Sequence, residues 1–90
     1  MAYQVTQFES TPNPNARKAL LDRPVCVGTR SYFSADQAAD DPLARALFDV
    51  TGVQTVMMLG DFITINKAPG ASWPAVERAV RAVLAESTEG

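Results

Sequence analysis

Few side chains in this sequence could do chemistry, and their spacing does not suit catalysis. The 90 residues contain one cysteine, Cys26, and no histidine. The usual general base of serine and cysteine nucleophile systems is therefore missing, and so is the imidazole ligand of metal sites. The adjacent carboxylates Asp40 and Asp41 are better explained as the start of a helix. We expect a non-enzymatic protein, with carboxylate-only and lysine chemistry left open.

Cys26 is the one thiol available for redox or metal chemistry. It cannot form a disulfide or a C-x-x-C pair within one chain. Its neighbours Val25 and Val27 favour a small buried hydrophobe. The alternative is that Cys26 from each of two chains binds iron across a homodimer. We expect no cofactor to be bound by this chain alone, and a colourless protein after anaerobic reconstitution with iron and sulfide would remove the alternative.

A polar segment at residues 11–15 could serve recognition instead. Two prolines alternate there with Asn13 and Asn15 after Thr11. Proline fixes the backbone and pushes the preceding residue to extended geometry, while asparagine side chains bond to local backbone groups. The segment is either a structural turn that fixes the register of two strands or a surface recognition loop, and the two roles are compatible.

Charge and hydropathy limit the partners and the compartment. The net charge is −2 with eight scattered basic residues, which argues against nucleic acid and against an anionic membrane surface. Residues 1–6 do not resemble a signal peptide, and the longest apolar run, residues 56–59, is far too short for a bilayer span. The single cysteine fits a reducing compartment. We predict one soluble domain over residues 1–90, with a protein partner and a cytoplasmic location.

Two helices are predicted from caps and apolar periodicity. Asp41 and Pro42 are a good N-cap and first residue, and Gly52 suits the left-handed position after a helix end. The last helix opens at Ser72. Its apolar stripe follows helical spacing: Trp73, Val76, Val80, Val83 and Leu84.

Residues 53–67 predict a β-hairpin about Gly60 and Asp61. A two-residue loop pairs Leu59 with Phe62, Met58 with Ile63, Met57 with Thr64 and Val56 with Ile65. One face is then uniformly apolar, whereas the other is apolar near the turn, at Met57, Leu59 and Phe62, and polar beyond it. This second face is either core covered by the N-terminal segment or a docking patch for a partner.

These elements predict an α+β fold of two layers. Strands are expected over residues 3–8 and 17–21, ahead of the helix, the hairpin and the last helix. Residues 25–27 and 31–33 look extended without alternation. A mainly antiparallel sheet of about four strands, in the order β-β-α-β-β-α and with both helices on one face, buries every apolar stripe.

Several stretches together resemble the N-terminal domain of Nfu-type iron–sulfur scaffold proteins. They occur in the same order along the chain: T-P-N-P-N at 11–15 followed by Lys18, P-L-A at 42–44, Leu47-Phe48, Gly52-Val53, G-D-F-I-T-I-N-K at 60–67, and Trp73. The resemblance implies a small α+β domain that usually precedes a C-terminal domain bearing C-x-x-C. In such proteins those cysteines, paired across a dimer, hold a transient [4Fe–4S] cluster, and the N-terminal domain serves recognition.

This sequence departs from that pattern because it contains no C-x-x-C. Cluster ligation does not carry over, and iron or a cluster is implied only for the pathway. We expect a stand-alone accessory or protein-interaction domain that docks onto a scaffold component or a client apo-protein. The candidate binding residues are Thr11, Asn13, Asn15, Lys18, Met57, Leu59, Asp61, Phe62 and Lys67. The alternatives are direct iron binding through Cys26 and a general peptide-binding module.

Overall fold

The computed structural model describes residues 3–25 and 27–86. Its elements run in the order β1 (Val5–Ser10), β2 (Ala16–Leu21), β3 (Thr29–Tyr32), α1 (Pro42–Phe48), β4 (Val53–Leu59), β5 (Phe62–Lys67) and α2 (Trp73–Glu86). The strands form one sheet in the order β1-β2-β5-β4-β3, and every neighbouring pair is antiparallel. The predicted α+β class is confirmed, with five strands rather than about four.

The strand that adds to the predicted number is β3, which lies at the sheet edge beside β4. Three of its four residues are exposed, and only Tyr32 is half-buried. Because exposed residues show no apolar alternation, the sequence predicted only an extended piece here.

The core lies between one face of the sheet and the two helices. Alternate residues of β4 and β5 point into it, and α1 and α2 cover them with their apolar stripes. The residues of this cluster that are less than 2% exposed are Ala38, Ala44, Leu47, Val56, Met58, Ile63, Ile65, Val80 and Leu84.

Both helices start as the sequence predicts. The Asp41 side chain accepts a hydrogen bond from the Ala44 N–H at 3.1 Å, with Pro42 in the first turn. The Ser72 carbonyl accepts the Val76 N–H at 2.9 Å at the start of α2. The helix end differs from the prediction: α1 ends at Phe48 with Asp49 as its C-cap, and Gly52 lies beyond this cap with φ +96°, a conformation that glycine adopts without strain.

The β4–β5 hairpin has the predicted register in the four pairs nearest the turn. Gly60 has a positive φ of 57°, and Asp61 does not. This is the pattern of a type II′ turn, whose twist matches that of the flanking strands. The register fixes which hairpin residues face the helices and which face the opposite side.

Candidate functional site

The loop at residues 11–15 is stabilised by its own side chains. Thr11 Oγ1 lies 2.9 Å from the Asn13 carbonyl oxygen and 3.0 Å from that of Ala16, and it accepts the Asn13 N–H at 3.2 Å. Asn13 Oδ1 accepts the Asn15 N–H at 2.9 Å. The loop therefore keeps one conformation, with Pro12, Asn13 and Pro14 exposed at its tip.

Two residues distant in sequence anchor this loop to the core. Lys67, which is 7% exposed, donates from Nζ to Asn15 Oδ1 at 3.0 Å and to the Ala68 carbonyl oxygen at 3.3 Å. Trp73 donates from Nε1 to the Pro14 carbonyl oxygen at 2.9 Å. The Lys67 ammonium also lies 5.7 Å from the centroid of the Trp73 ring, a cation–π contact.

Arg17 completes this arrangement on the same side of the sheet. Its guanidinium lies 5.1 Å from the Trp73 ring centroid and pairs with Glu77 Oε2 at 2.6 Å. We call Asn15, Arg17, Lys67, Trp73 and Glu77 the loop anchor. It can hold the loop in a preset shape, but its cations are already occupied by partners within the chain.

The sheet face opposite the helices carries the second group of predicted residues. Leu20, Phe62 and Leu59 lie side by side across β2, β5 and β4. Lys18, Thr64 and Met57 form the next row in the same three strands. We call these six residues the outer sheet face.

The outer sheet face is not part of the core. Met57 is 37% and Leu59 38% exposed, and neither these nor Phe62 belong to the apolar cluster under the helices. Of the two alternatives for this face, the one in which the N-terminal segment covers it is wrong, because β1 pairs with β2 as an edge strand of the same sheet. An edge strand extends the sheet sideways and leaves its faces open.

The two candidate lysines, Lys18 and Lys67, lie apart in the structure. Lys67 reaches the loop, whereas Lys18 lies on the outer sheet face with its ammonium 4.9 Å from the Phe62 ring centroid. Asp61 lies in the hairpin turn at the opposite end of the sheet, where its carbonyl oxygen accepts the Leu21 N–H at 2.8 Å. The nine candidate residues thus form a loop group, a face group and Asp61 by itself. Their role in binding stays a prediction.

Sequence reasoning missed Leu20, Arg17 and Glu77. Leu20 lies two residues after Lys18, so the two-residue period of β2 puts both on one face. Once β2 is placed beside β5, this period predicts that Leu20 lies next to Phe62. The contact of Arg17 with Glu77 joins residues 60 positions apart, and no local pattern indicates it.

A third polar cluster joins β3 to the start of α1. The Tyr32 hydroxyl donates to Asp41 Oδ2 at 2.9 Å, and Arg30 Nη1 lies 3.5 Å from the same oxygen. Burial raises the pKa of Tyr32 above its ordinary value of 10.0, and the bond to Asp41 raises it further, with Arg30 opposing. Beside this cluster lies a cleft of about 130 Å³ lined in part by Tyr3 and Leu43.

Metal ligation finds no support among the described residues. They contain no group of three or more histidine, cysteine, aspartate or glutamate side chains placed to hold a metal ion. Cys26 lies outside the described residues, so iron binding through it stays a prediction. Within residues 3–25 and 27–86, no helix has the length and apolar character needed to cross a bilayer.

Comparison with known families gives one match that spans nearly the whole chain. The family described as scaffold protein Nfu/NifU N terminal matches residues 6–90. The NifU-like protein C1709.19c of Schizosaccharomyces pombe is 37% identical over 87% of this chain and 31% of its own length. The mitochondrial NFU1 iron-sulfur cluster scaffold homolog of Drosophila ananassae is 40% identical over 87% of this chain and 28% of its own.

Solved structures share the fold. The NifU-like protein from Saccharomyces cerevisiae superposes with a TM-score of 0.81 at 24% identity, over 94% of this chain and 77% of that one. Protein SAV1430 from Staphylococcus aureus gives 0.75 at 26% identity, over 89% and 96%. The chain spans less than a third of the length of the two curated relatives. One of these relatives is named as mitochondrial, and the cytoplasmic location of this chain stays a prediction.

Proposed function

This chain belongs to the family of Nfu/NifU scaffold N-terminal domains, and we propose that it acts as a docking domain in iron–sulfur cluster assembly or delivery. Its partner is a scaffold component or a client apo-protein, and its own contribution is recognition rather than catalysis. The relatives named as iron-sulfur cluster scaffolds support the pathway. The uncovered outer sheet face is the observation that carries the docking role.

The cluster enters this proposal as cargo of the pathway. Iron–sulfur clusters are held mainly by cysteine thiolates, commonly four. The 90 residues contain one cysteine and no histidine. They do not supply such a ligand set, so no ligation step is assigned to this chain.

The outer sheet face suits docking because it exposes apolar side chains that the fold does not use. A contiguous apolar patch on a soluble domain marks an interaction surface. Methionine adapts its shape to different partners, and Met57 in β4 is 37% exposed. Burying Leu59, Met57 and Phe62 against a partner would remove their remaining apolar surface from water.

The loop at residues 11–15 adds a second contact region with low ordering cost. Its hydrogen bonds and the loop anchor already fix its conformation. A preset loop loses little conformational entropy on binding. Pro12, Asn13 and Pro14 are the exposed residues that would touch a partner.

Affinity capture from cell lysate with mass spectrometry tests the proposal. Tagged wild-type chain should enrich iron–sulfur proteins or their assembly factors, and Leu59→Ser should lose them while keeping its unfolding midpoint. Phe33→Ser is the matched control, because Phe33 is 70% exposed and lies outside the outer sheet face. Phe62→Ser should behave like Leu59→Ser as long as it folds.

Two results would contradict the docking role. One is a captured set without iron–sulfur proteins. The other is an unchanged set with Leu59→Ser, which would show that the outer sheet face does not bind the partner.

A further inference from the structure

The apolar row of the outer sheet face has the width of one helix. Leu20, Phe62 and Leu59 lie on three adjacent strands, and a strand spacing of 4.7–4.9 Å makes the row about 10 Å wide. An α-helix with its side chains is about 10–12 Å across. A partner strand would instead pair with an edge, β1 or β3, and leave this row open. The geometry therefore favours a helix over a strand as the occupant.

The second row adds a cation, Lys18, that forms no ion pair within the described part of the chain. Lys18 takes part in none of the ion pairs formed among the described residues. Glu9 lies directly opposite it on β1, but the Glu9 carboxylate accepts a hydrogen bond from Gln7 Nε2 at 3.3 Å. Between Lys18 and Met57 lies Thr64, whose buried Oγ1 has no hydrogen-bond partner among the described residues.

A partner that seals this face must compensate the Lys18 ammonium. Removing water from an ammonium is costly unless a carboxylate replaces it. Thr64 Oγ1 is already buried before any partner binds, so it sets no such demand. An acidic side chain above Lys18 supplies the charge that this face needs.

We infer that the outer sheet face binds an amphipathic helix of a partner protein, with an aspartate or glutamate beside the apolar stripe of that helix. The inference rests on the proposed docking function and specifies the chemistry of its partner. The apolar stripe covers Leu20, Phe62, Leu59 and Met57, and the carboxylate pairs with Lys18.

A displayed library of single helices with one randomised face tests this without knowledge of the natural partner. Selection on the full wild-type chain should enrich apolar residues at i, i+3, i+4 and i+7 together with an acidic residue. Lys18→Glu should weaken the selected helices about tenfold or more, and selection on Lys18→Glu should enrich Lys or Arg instead. Amide shifts of labelled protein should map the helices to the outer sheet face.

Arg78→Glu is the matched control, since it makes the same charge change on an exposed position of α2. It should leave binding unchanged. Glu9→Gln should tighten binding of the acidic helices, because it removes the carboxylate directly opposite Lys18 on β1. Absence of any helical binder, no preference for acidic residues, or shifts confined to β1, β3 or the loop at residues 11–15 would each overturn the inference.

The two proposals fail in different ways. If acidic helices bind as described but lysate capture yields no iron–sulfur proteins, the binding surface is supported and the assignment to the iron–sulfur pathway is wrong. If capture depends on Leu59 but helix binding ignores Lys18, the docking function stands and the partner chemistry is wrong.

Discussion

Lys67 is the residue whose burial most needs a physical explanation. A buried ammonium is stable only when its donors are satisfied. The Lys67 ammonium donates hydrogen bonds to two neutral groups, the Asn15 amide oxygen and the Ala68 carbonyl oxygen. It also makes a cation–π contact with the Trp73 ring. Because Asn15 belongs to the loop at residues 11–15, the Lys67 side chain links this loop to the core.

Replacing Lys67 with Met keeps the apolar stem and removes the ammonium. Two effects compete: the desolvation cost of the charge disappears, but the Asn15 amide oxygen loses its hydrogen bond. We expect the second to win, with a loss of about 1–3 kcal/mol in the free energy of unfolding. Urea unfolding of wild type and variant measures this loss. Lys18→Met is the control and should change the free energy of unfolding by less than about 0.5 kcal/mol, while equal values for the two variants would show that the Lys67 ammonium does not stabilise the fold.

Tyr32 makes the free energy of unfolding depend on pH. Its pKa is raised in the folded protein by burial and by the bond to Asp41, so the folded state holds the phenol proton more tightly than the unfolded state. The stabilisation is complete below the ordinary value of 10.0 and is lost as the pH rises through the folded pKa.

The Tyr32→Phe variant should therefore be less stable than wild type at pH 8, and the gap should narrow above pH 10. Melting temperatures across this range measure the gap, and the absorbance of ionised tyrosine follows the titration. A gap that stays constant from pH 8 to pH 11 would show that the phenol proton is not linked to folding.

At the scale of elements, the junction between α1 and β4 depends on one glycine. Gly52 has φ +96°, and a Cβ there would lie 2.7 Å from Ala71 Cβ. Gly52→Ala should cost about 2–4 kcal/mol, since backbone strain and overpacking act together. Gly60→Ala, with positive φ but open space, should cost about 1 kcal/mol. Gly70→Ala, with neither feature, should be neutral. Chemical denaturation of the three variants checks the order, and equal losses at Gly52 and Gly60 would exclude the steric contribution.

Local patterns predicted the elements that local forces determine. The hairpin register follows from Gly60 and from alternation within residues 53–67, and both lie in one short stretch. The exposed strand β3 has no such alternation, and its pairing joins Thr29 to Leu59 across the sequence. The link between Lys67 and Asn15 spans 52 positions. Such contacts depend on the completed sheet, so the sequence named both Lys18 and Lys67 as candidates but could not show which of them contacts the loop.

On the scale of the whole molecule, the two faces of the sheet differ in burial. The inner face packs under both helices and provides the core. The outer face keeps apolar residues that no other described element covers. Whether the outer sheet face is core depends on where β1 lies. Since β1 pairs with β2 at the edge of the sheet, it does not lie over this face. The topology was therefore needed to show that this face is not core, and docking on it stays a prediction.

Two adjacent methionines on β4 test this division directly. Met58 is 1% exposed under the helices, and Met57 is 37% exposed on the outer sheet face. Met58→Ala should cost about 2–5 kcal/mol because it opens a cavity in the core, whereas Met57→Ala should cost less than about 1 kcal/mol. Urea unfolding followed by circular dichroism measures both. Binding of the selected acidic helices should show the reverse order, with Met57→Ala weaker than wild type and Met58→Ala near wild type while it stays folded. Similar stability losses at the two positions would mean that both faces are packed, and the outer sheet face would then not be available to a partner.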